Sequence, residues 1–165
     1  MKKIFMAAAV VAAFAAFPAS AQLFPASGQL YLGAGVGEAK TDSRDTSYKL
    51  YGGYQFNPTW GIELGYNDLG KFRGADIETY TLAAVHTIQL QERWALFGKL
   101  GASENRPDAA GTGDNTGLLL GVGVVYSLNK NLGVRLEYED FGKLSDAGVS
   151  RPRGKNVGLS LKYGF

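Results

Sequence analysis

Residues 48–70, YKLYGGYQFNPTWGIELGYNDLG, decide the fold. In the first half Tyr48, Leu50, Gly52, Tyr54 and Phe56 occupy alternate positions, with Lys49, Gly53 and Gln55 between them. In the second half Trp60, Ile62, Leu64 and Tyr66 alternate with Gly61, Glu63, Gly65 and Asn67. A period of two is the strand period, and Asn57-Pro58-Thr59 between the halves is turn chemistry. The stretch therefore reads as two antiparallel strands with one greasy face and one face of glycine and charge.

The same pattern continues on both sides. It gives Leu30, Leu32, Ala34, Val36 before the hairpin, then Tyr80, Leu82, Ala84, His86, Ile88 and Trp94, Leu96, Gly98, Leu100, Ala102 after it. Leu118, Leu120, Val122, Val124, Tyr126 follow, then Leu132, Val134, Leu136, Tyr138 and finally Val157, Leu159, Leu161, Tyr163, Phe165. With the hairpin's two, these eight segments supply 37 alternate positions with no Asp, Glu, Lys or Arg; His86 is their one ionisable residue. The intervening positions hold Lys49, Glu63, Lys99, Arg135, Glu137, Glu139 and Lys162, together with 13 glycines.

Which face turns inward follows from the glycines. A water-facing strand surface is a poor place for them, whereas a narrow barrel interior accepts small residues and lets acids and bases pair. The greasy face then meets lipid. Eight segments predict an all-β, eight-stranded antiparallel up-and-down transmembrane barrel. Numbered from an N-terminus on the periplasmic side, Phe56, Trp60, Trp94, Tyr126, Tyr163 and Phe165 fall at one set of strand ends. Tyr48, Tyr66, Tyr80 and Tyr138 fall at the other. Two aromatic girdles mark two membrane–water interfaces. Short turns at 57–59, 91–93 and 129–131 and longer polar connections at 37–47, 68–78, 103–116 and 140–156 give the asymmetry of outer-membrane barrels.

The chain begins with Lys2 and Lys3, an apolar run over 4–17, Pro18, and Ala19-Ser20-Ala21. That is a signal peptide over residues 1–21, too short to span a bilayer, and it leaves residues 22–165 as the barrel domain. Removing it takes away two lysines, so the remaining chain carries 15 basic and 15 acidic residues. The basic balance of the whole chain is thus no nucleic-acid footprint. With no cysteine, disulfides and thiolate metal sites are excluded, and no residue pattern calls for a cofactor. The glycine-rich GAGVG and GVGV segments are strand interior, since no helix pattern follows them.

Residues 48–70 resemble the second and third strands of the OmpA transmembrane barrel family. ERWALFGKLGA resembles its fifth strand and NLGVRLEYEDF its seventh, while VGLSLKYGF, ending in Tyr163 and Phe165, resembles the assembly signal read by the barrel assembly machinery. In that family an inward Glu on strand three and an inward Arg on strand seven belong to a charged gate. Glu63 and Arg135 occupy the matching positions, with Lys99 and Glu137 as neighbouring charges. The resemblance implies a Lys on strand four and a Glu on strand six, where this chain has Val85 and Val125; a plug is expected more than a gate. The likeness is to the transmembrane barrel alone, so cell-wall anchoring through a peptidoglycan-binding domain is not carried over.

His86 lacks a Ser and an acid at matching positions, so no catalytic residue is assigned and no enzyme is expected. The last connection carries Arg151, Arg153 and Lys155, a basic rim suited to lipopolysaccharide phosphates. The expected function is structural and surface-interacting: membrane integrity, with loops for adhesion or host contact and outer-membrane lipid as the surroundings. A narrow porin-like channel is the alternative, and a lipid A-modifying enzyme comes last.

Overall fold

The computed structural model of the chain describes residues 28–40, 44–72, 75–107, 115–143 and 153–165; residues 1–21, the expected signal peptide, lie outside the described residues. Eight strands run in order: β1 (Gln29–Lys40), β2 (Arg44–Gln55), β3 (Trp60–Phe72), β4 (Ala75–Gln89), β5 (Trp94–Pro107), β6 (Asn115–Ser127), β7 (Leu132–Lys143) and β8 (Arg153–Gly164). Each pairs antiparallel with the next, and β1 pairs with β8 to close the barrel. Following the register from Arg44 through Lys40, Lys155, Asp140, Leu120, Leu100, Ala84 and Ile62 leads back to β2 at Tyr54, further along the same strand. A stagger of this size in eight strands corresponds to a tilt of about 40°.

None of the 37 outward positions is buried. Strand β4 follows the same parity, with Val85 inward and His86 outward. Register sets the girdle rings side by side. Trp94 and Tyr126 are partners with ring centroids 4.8 Å apart, as are Tyr66 and Tyr80 at 5.3 Å. Two of the short turns share one device. The side-chain oxygen of Asn57 accepts from the backbone N–H of Thr59 and Trp60, and that of Asn129 accepts from Asn131 and Leu132. Each is an Asx turn.

At the opposite end the strands run further than the sequence pattern suggests, which corrects the long connections expected at 37–47, 68–78, 103–116 and 140–156. The reason is an inversion of the alternation. Beyond the Tyr48–Tyr66–Tyr80 girdle the outward residues become polar, as in Glu38, Lys40, Arg44, Thr46, Glu78, Glu104 and Arg106. The inward ones become apolar: Ala39, Leu69, Ile77, Leu119 and Phe141 are all buried. Above the lipid the wall meets water outside, so its greasy side turns in.

Two bulges direct that inner cap. Asp68-Leu69-Gly70-Lys71 on β3 and Asp140-Phe141-Gly142-Lys143 on β7 each shift the register. In each, the Asp carboxylate accepts from the Gly N–H two residues on, and the Gly takes a positive φ, 76° and 72°. Leu69 and Phe141 are thereby turned into the lumen with no exposed surface. The repeated Asp-apolar-Gly-Lys was visible in the sequence but unread.

Candidate functional site: the barrel lumen

The lumen is filled in layers. Below the apolar cap lie Ser47, Asn67, Thr79, Ser103, Asn105 and Asn156, all buried. Ser47 bonds Asn156, Thr79 bonds Asn105, and Ser103 donates to the Phe141 carbonyl at 2.6 Å. Asn67 is the exception: neither side-chain amide atom has a partner among the described residues.

At mid-barrel six charges meet. Lys49 projects from β2, Glu63 from β3, Lys99 from β5, and Arg135, Glu137 and Glu139 from β7. Arg135 Nη1 lies 2.7 Å from Glu63 Oε2 across the lumen. Lys99 Nζ reaches Glu63 at 2.7 Å, Glu137 at 2.8 Å and Glu139 at 2.7 Å. Lys49 Nζ pairs with Glu137 at 2.6 Å and Glu139 at 2.7 Å. Three cations face three carboxylates, and all six are buried. Buried charge demands such pairing, since an isolated one costs several kcal/mol or more. Glu137 Oε2 sits within ion-pair distance of Lys99 and Arg135 but is aligned for a hydrogen bond with neither, so its pairing is electrostatic rather than directional.

Aromatic rings form the floor. The Arg135 guanidinium carbon lies 4.0 Å from the Phe97 ring centroid and 4.7 Å from that of Tyr51. Tyr31 donates its hydroxyl to Glu63 at 3.0 Å, and Tyr51 bonds Ser160. Each ring occupies room left by a glycine: Tyr31 over Gly53, Tyr51 over Gly33, Phe97 over Gly123, each pair being register partners. Val85 and Val125 pack with Phe97. Near the short-turn end, Lys162 lies buried with its ammonium 4.0 Å from the Tyr31 ring centroid; Gln29 and Gln55, partners in the register, are buried as well.

The residues singled out from sequence fall in two groups. Glu63, Arg135, Lys99 and Glu137 come together. Lys49 and Glu139 share the network but were not singled out; Glu139 follows Glu137 by two, the spacing that puts both on one strand face. Valine at 85 and 125 does not leave Glu63 and Arg135 without alternative partners: Lys99 of β5 reaches Glu63 at 2.7 Å and Glu137 of β7 reaches Arg135 at 3.0 Å. Tyr163 and Phe165 stack edge to face at 5.2 Å. Lys155 is exposed on β8, Arg153 opens that strand opposite Lys143 in the register, and Arg151 lies outside the described residues.

The family model for the outer membrane protein beta-barrel domain matches residues 6–165. The chain belongs to that family. Outer membrane protein A of Serratia marcescens is 29% identical over 150 residues, covering 79% of this chain and 42% of its own length. The chain thus spans less than half of the curated relatives it matches first. Neisserial surface protein A shares the fold with a TM-score of 0.62 at 19% identity, over 84% of this chain and 97% of that one. Ail of Yersinia pestis does so with a TM-score of 0.56 at 20% identity, over 84% and 97%. This outer-membrane barrel lies in the outer membrane of a Gram-negative bacterium, its short turns at the periplasmic end.

Proposed function

We propose that this barrel is a closed structural element of the outer membrane that displays its four outer connections for surface contacts. The observation that carries this reading is the occupied lumen: an apolar cap, six mutually paired charges and three rings in series. A path for ions would have to break several buried pairs and displace the cap. The connections suit adhesion or host contact, because variable loops on a rigid scaffold carry recognition. Ail, a barrel of the same fold, has been solved with the heparin analogue sucrose octasulfate, which supports a surface-ligand role here by analogy. The enzyme reading finds no support at His86, which faces outward edge-on to Trp60 at 4.6 Å and makes no hydrogen bond to a hydroxyl or carboxylate among the described residues.

One observation favours the alternative, a narrow channel. Each network carboxylate has more than one cation within 3.0 Å, so partners can exchange without stranding a charge. Planar-bilayer recording of the purified barrel separates the readings. The closed reading expects no unitary conductance; steady, voltage-independent unitary steps would replace it with the channel.

A further inference from the structure

Barrel closure gathers a row of cations that the sequence keeps far apart. Lys155 of β8 is the register partner of Lys40 of β1, and Lys40 is the partner of Arg44 of β2. All three side chains point outward and are exposed. They stand just past the last apolar outward residues of these strands, Val36, Tyr48 and Val157. With an axial rise of about 2.5 Å per residue at this tilt, the row sits roughly 5–10 Å beyond the apolar band, at headgroup depth. Register partners on neighbouring strands are about 5 Å apart, so all three heads can converge on one or two phosphate groups.

Among the described residues, charge around the rim is sorted. On the far side, β3 to β5 present Asp68, Glu78 and Glu104 outward, with Arg106 bound to Glu104 at 2.7 Å. Among the described residues the outward acids of the basic sector are Glu38, 3.2 Å from Arg44 with both side chains well exposed, and Asp140 across from Lys155, while Asp45 turns its carboxylate toward Gly70. Neither Lys40 nor Lys155 has an ion pair among the described residues. The register also sets Lys143 opposite Arg153 at the top of the same sector. Below the row, Ala34 leaves low relief between Leu50 and Leu161 on the lipid face, while the Leu32 side chain lies over Gly52.

We infer that the β8–β1–β2 sector is a binding site for a phosphorylated glycolipid of the outer leaflet. Lys40, Arg44 and Lys155 hold its phosphates, and its acyl chains lie along the apolar wall at Ala34, between Leu50 and Leu161. Charge-assisted contacts to phosphate supply the selectivity, and the apolar wall supplies the depth. This site does not depend on whether the lumen is closed, so a conducting barrel leaves it intact.

The test uses the full barrel in phosphatidylcholine nanodiscs doped with bisphosphorylated lipid A or with its dephosphorylated form, read by native mass spectrometry of the released protein. The expected result is retention of the phosphorylated lipid at roughly tenfold lower concentration than the dephosphorylated one. The K40Q/R44Q/K155Q variant should lose that preference, and Glu38→Gln should keep it or strengthen it. Heat-modified gel mobility reports whether the variants fold; Lys155→Gln alone serves if the triple variant does not, with a partial loss expected. Equal retention of both lipids by the unmodified barrel overturns the proposal, as does an unchanged preference in whichever variant folds. Sucrose octasulfate competing for the sector while lipid A phosphates make no difference would also overturn it, in favour of a soluble polyanion.

Discussion

Tyr51 of β2 lies across Gly33 of β1, its partner in the register, and a Cβ at position 33 would run into the ring. Glycine on the inward face is thus room for an aromatic ring, not an empty surface. Gly33→Ala should destabilise the barrel by about 1–3 kcal/mol, the usual range for overpacking. Gly98→Ala is the control. Gly98 faces outward, and the nearest atom to its added methyl is the Gly121 carbonyl at 4.0 Å. That change should stay within about 0.5 kcal/mol, as measured by urea unfolding in lipid. Equal effects at the two positions would show that the rings are free to move.

His86 lies in the periplasmic girdle against Trp60. His86→Phe keeps a ring there and should leave stability unchanged or slightly raised, since an apolar residue suits the lipid face. His86→Leu removes the ring pair and should cost about 0.5–1.5 kcal/mol relative to Phe. A large loss in the Phe variant would give the imidazole a polar role that its surroundings do not suggest.

The outward wall was legible because one rule governs it: lipid contact forbids charge at every second position over eight strands. The inside was less so. Inward parity named Glu63, Arg135, Lys99 and Glu137, but Lys49 and Glu139 entered the network only once the tilt of the strands set their height in the lumen. Glycines at 33, 53 and 123 read only as small interior residues, where they make room for Tyr51, Tyr31 and Phe97. The upper strand ends were missed because the parity changes meaning where lipid gives way to water. Leu69 and Phe141 look like loop residues until the bulges turn them inward.

Those bulges carry a prediction of their own. Gly142 has a φ of 72°, and a Cβ there would stand 3.1 Å from the backbone N and O of Leu118. Gly142→Ala should therefore cost about 1–2 kcal/mol from the left-handed backbone alone. The damage should be local, with faster amide exchange at the upper ends of β6 and β7 and unchanged protection near Trp94 and Tyr126. Uniformly faster exchange around the barrel would contradict a local role for the bulge.

Phe165 tests the resemblance to an assembly signal. Its backbone N–H donates to the Leu30 carbonyl at 3.0 Å, and its own carbonyl accepts from Gln29 at 2.8 Å. Serine can keep both bonds, so Phe165→Ser isolates the ring and its contact with Tyr163. Folded barrel in the outer membrane should fall severalfold, more than a surface change within about 0.5 kcal/mol would produce, while refolding into detergent in vitro should be nearly normal. Normal levels in cells would show that the ring is not read during assembly.

Glu63 and Arg135 provide the sharpest test of the lumen. They sit on strands across the barrel from one another, and their contact of 2.7 Å is enclosed above by Lys99 and below by Tyr31, Tyr51 and Phe97. In a dry site, removing one partner strands the other charge and costs about 3–5 kcal/mol; in a wet one the cost falls toward about 1 kcal/mol. Glu63→Gln leaves Lys99 with Glu137 and Glu139 but leaves Arg135 with Glu137 alone, at 3.0 Å. Its cost should therefore lie near the upper range, whereas Lys99→Met leaves each carboxylate another cation and should cost less. A double-mutant cycle of Glu63→Gln with Arg135→Met should give a coupling of about 1–3 kcal/mol, and the cycle of Glu63→Gln with Lys99→Met a smaller one. Since the network is shared, the triple variant should lose less than the sum of the single changes. Zero coupling between Glu63 and Arg135 would mean that water or Glu137 alone satisfies the guanidinium, and the occupied-lumen account of the closed barrel would lose its central contact.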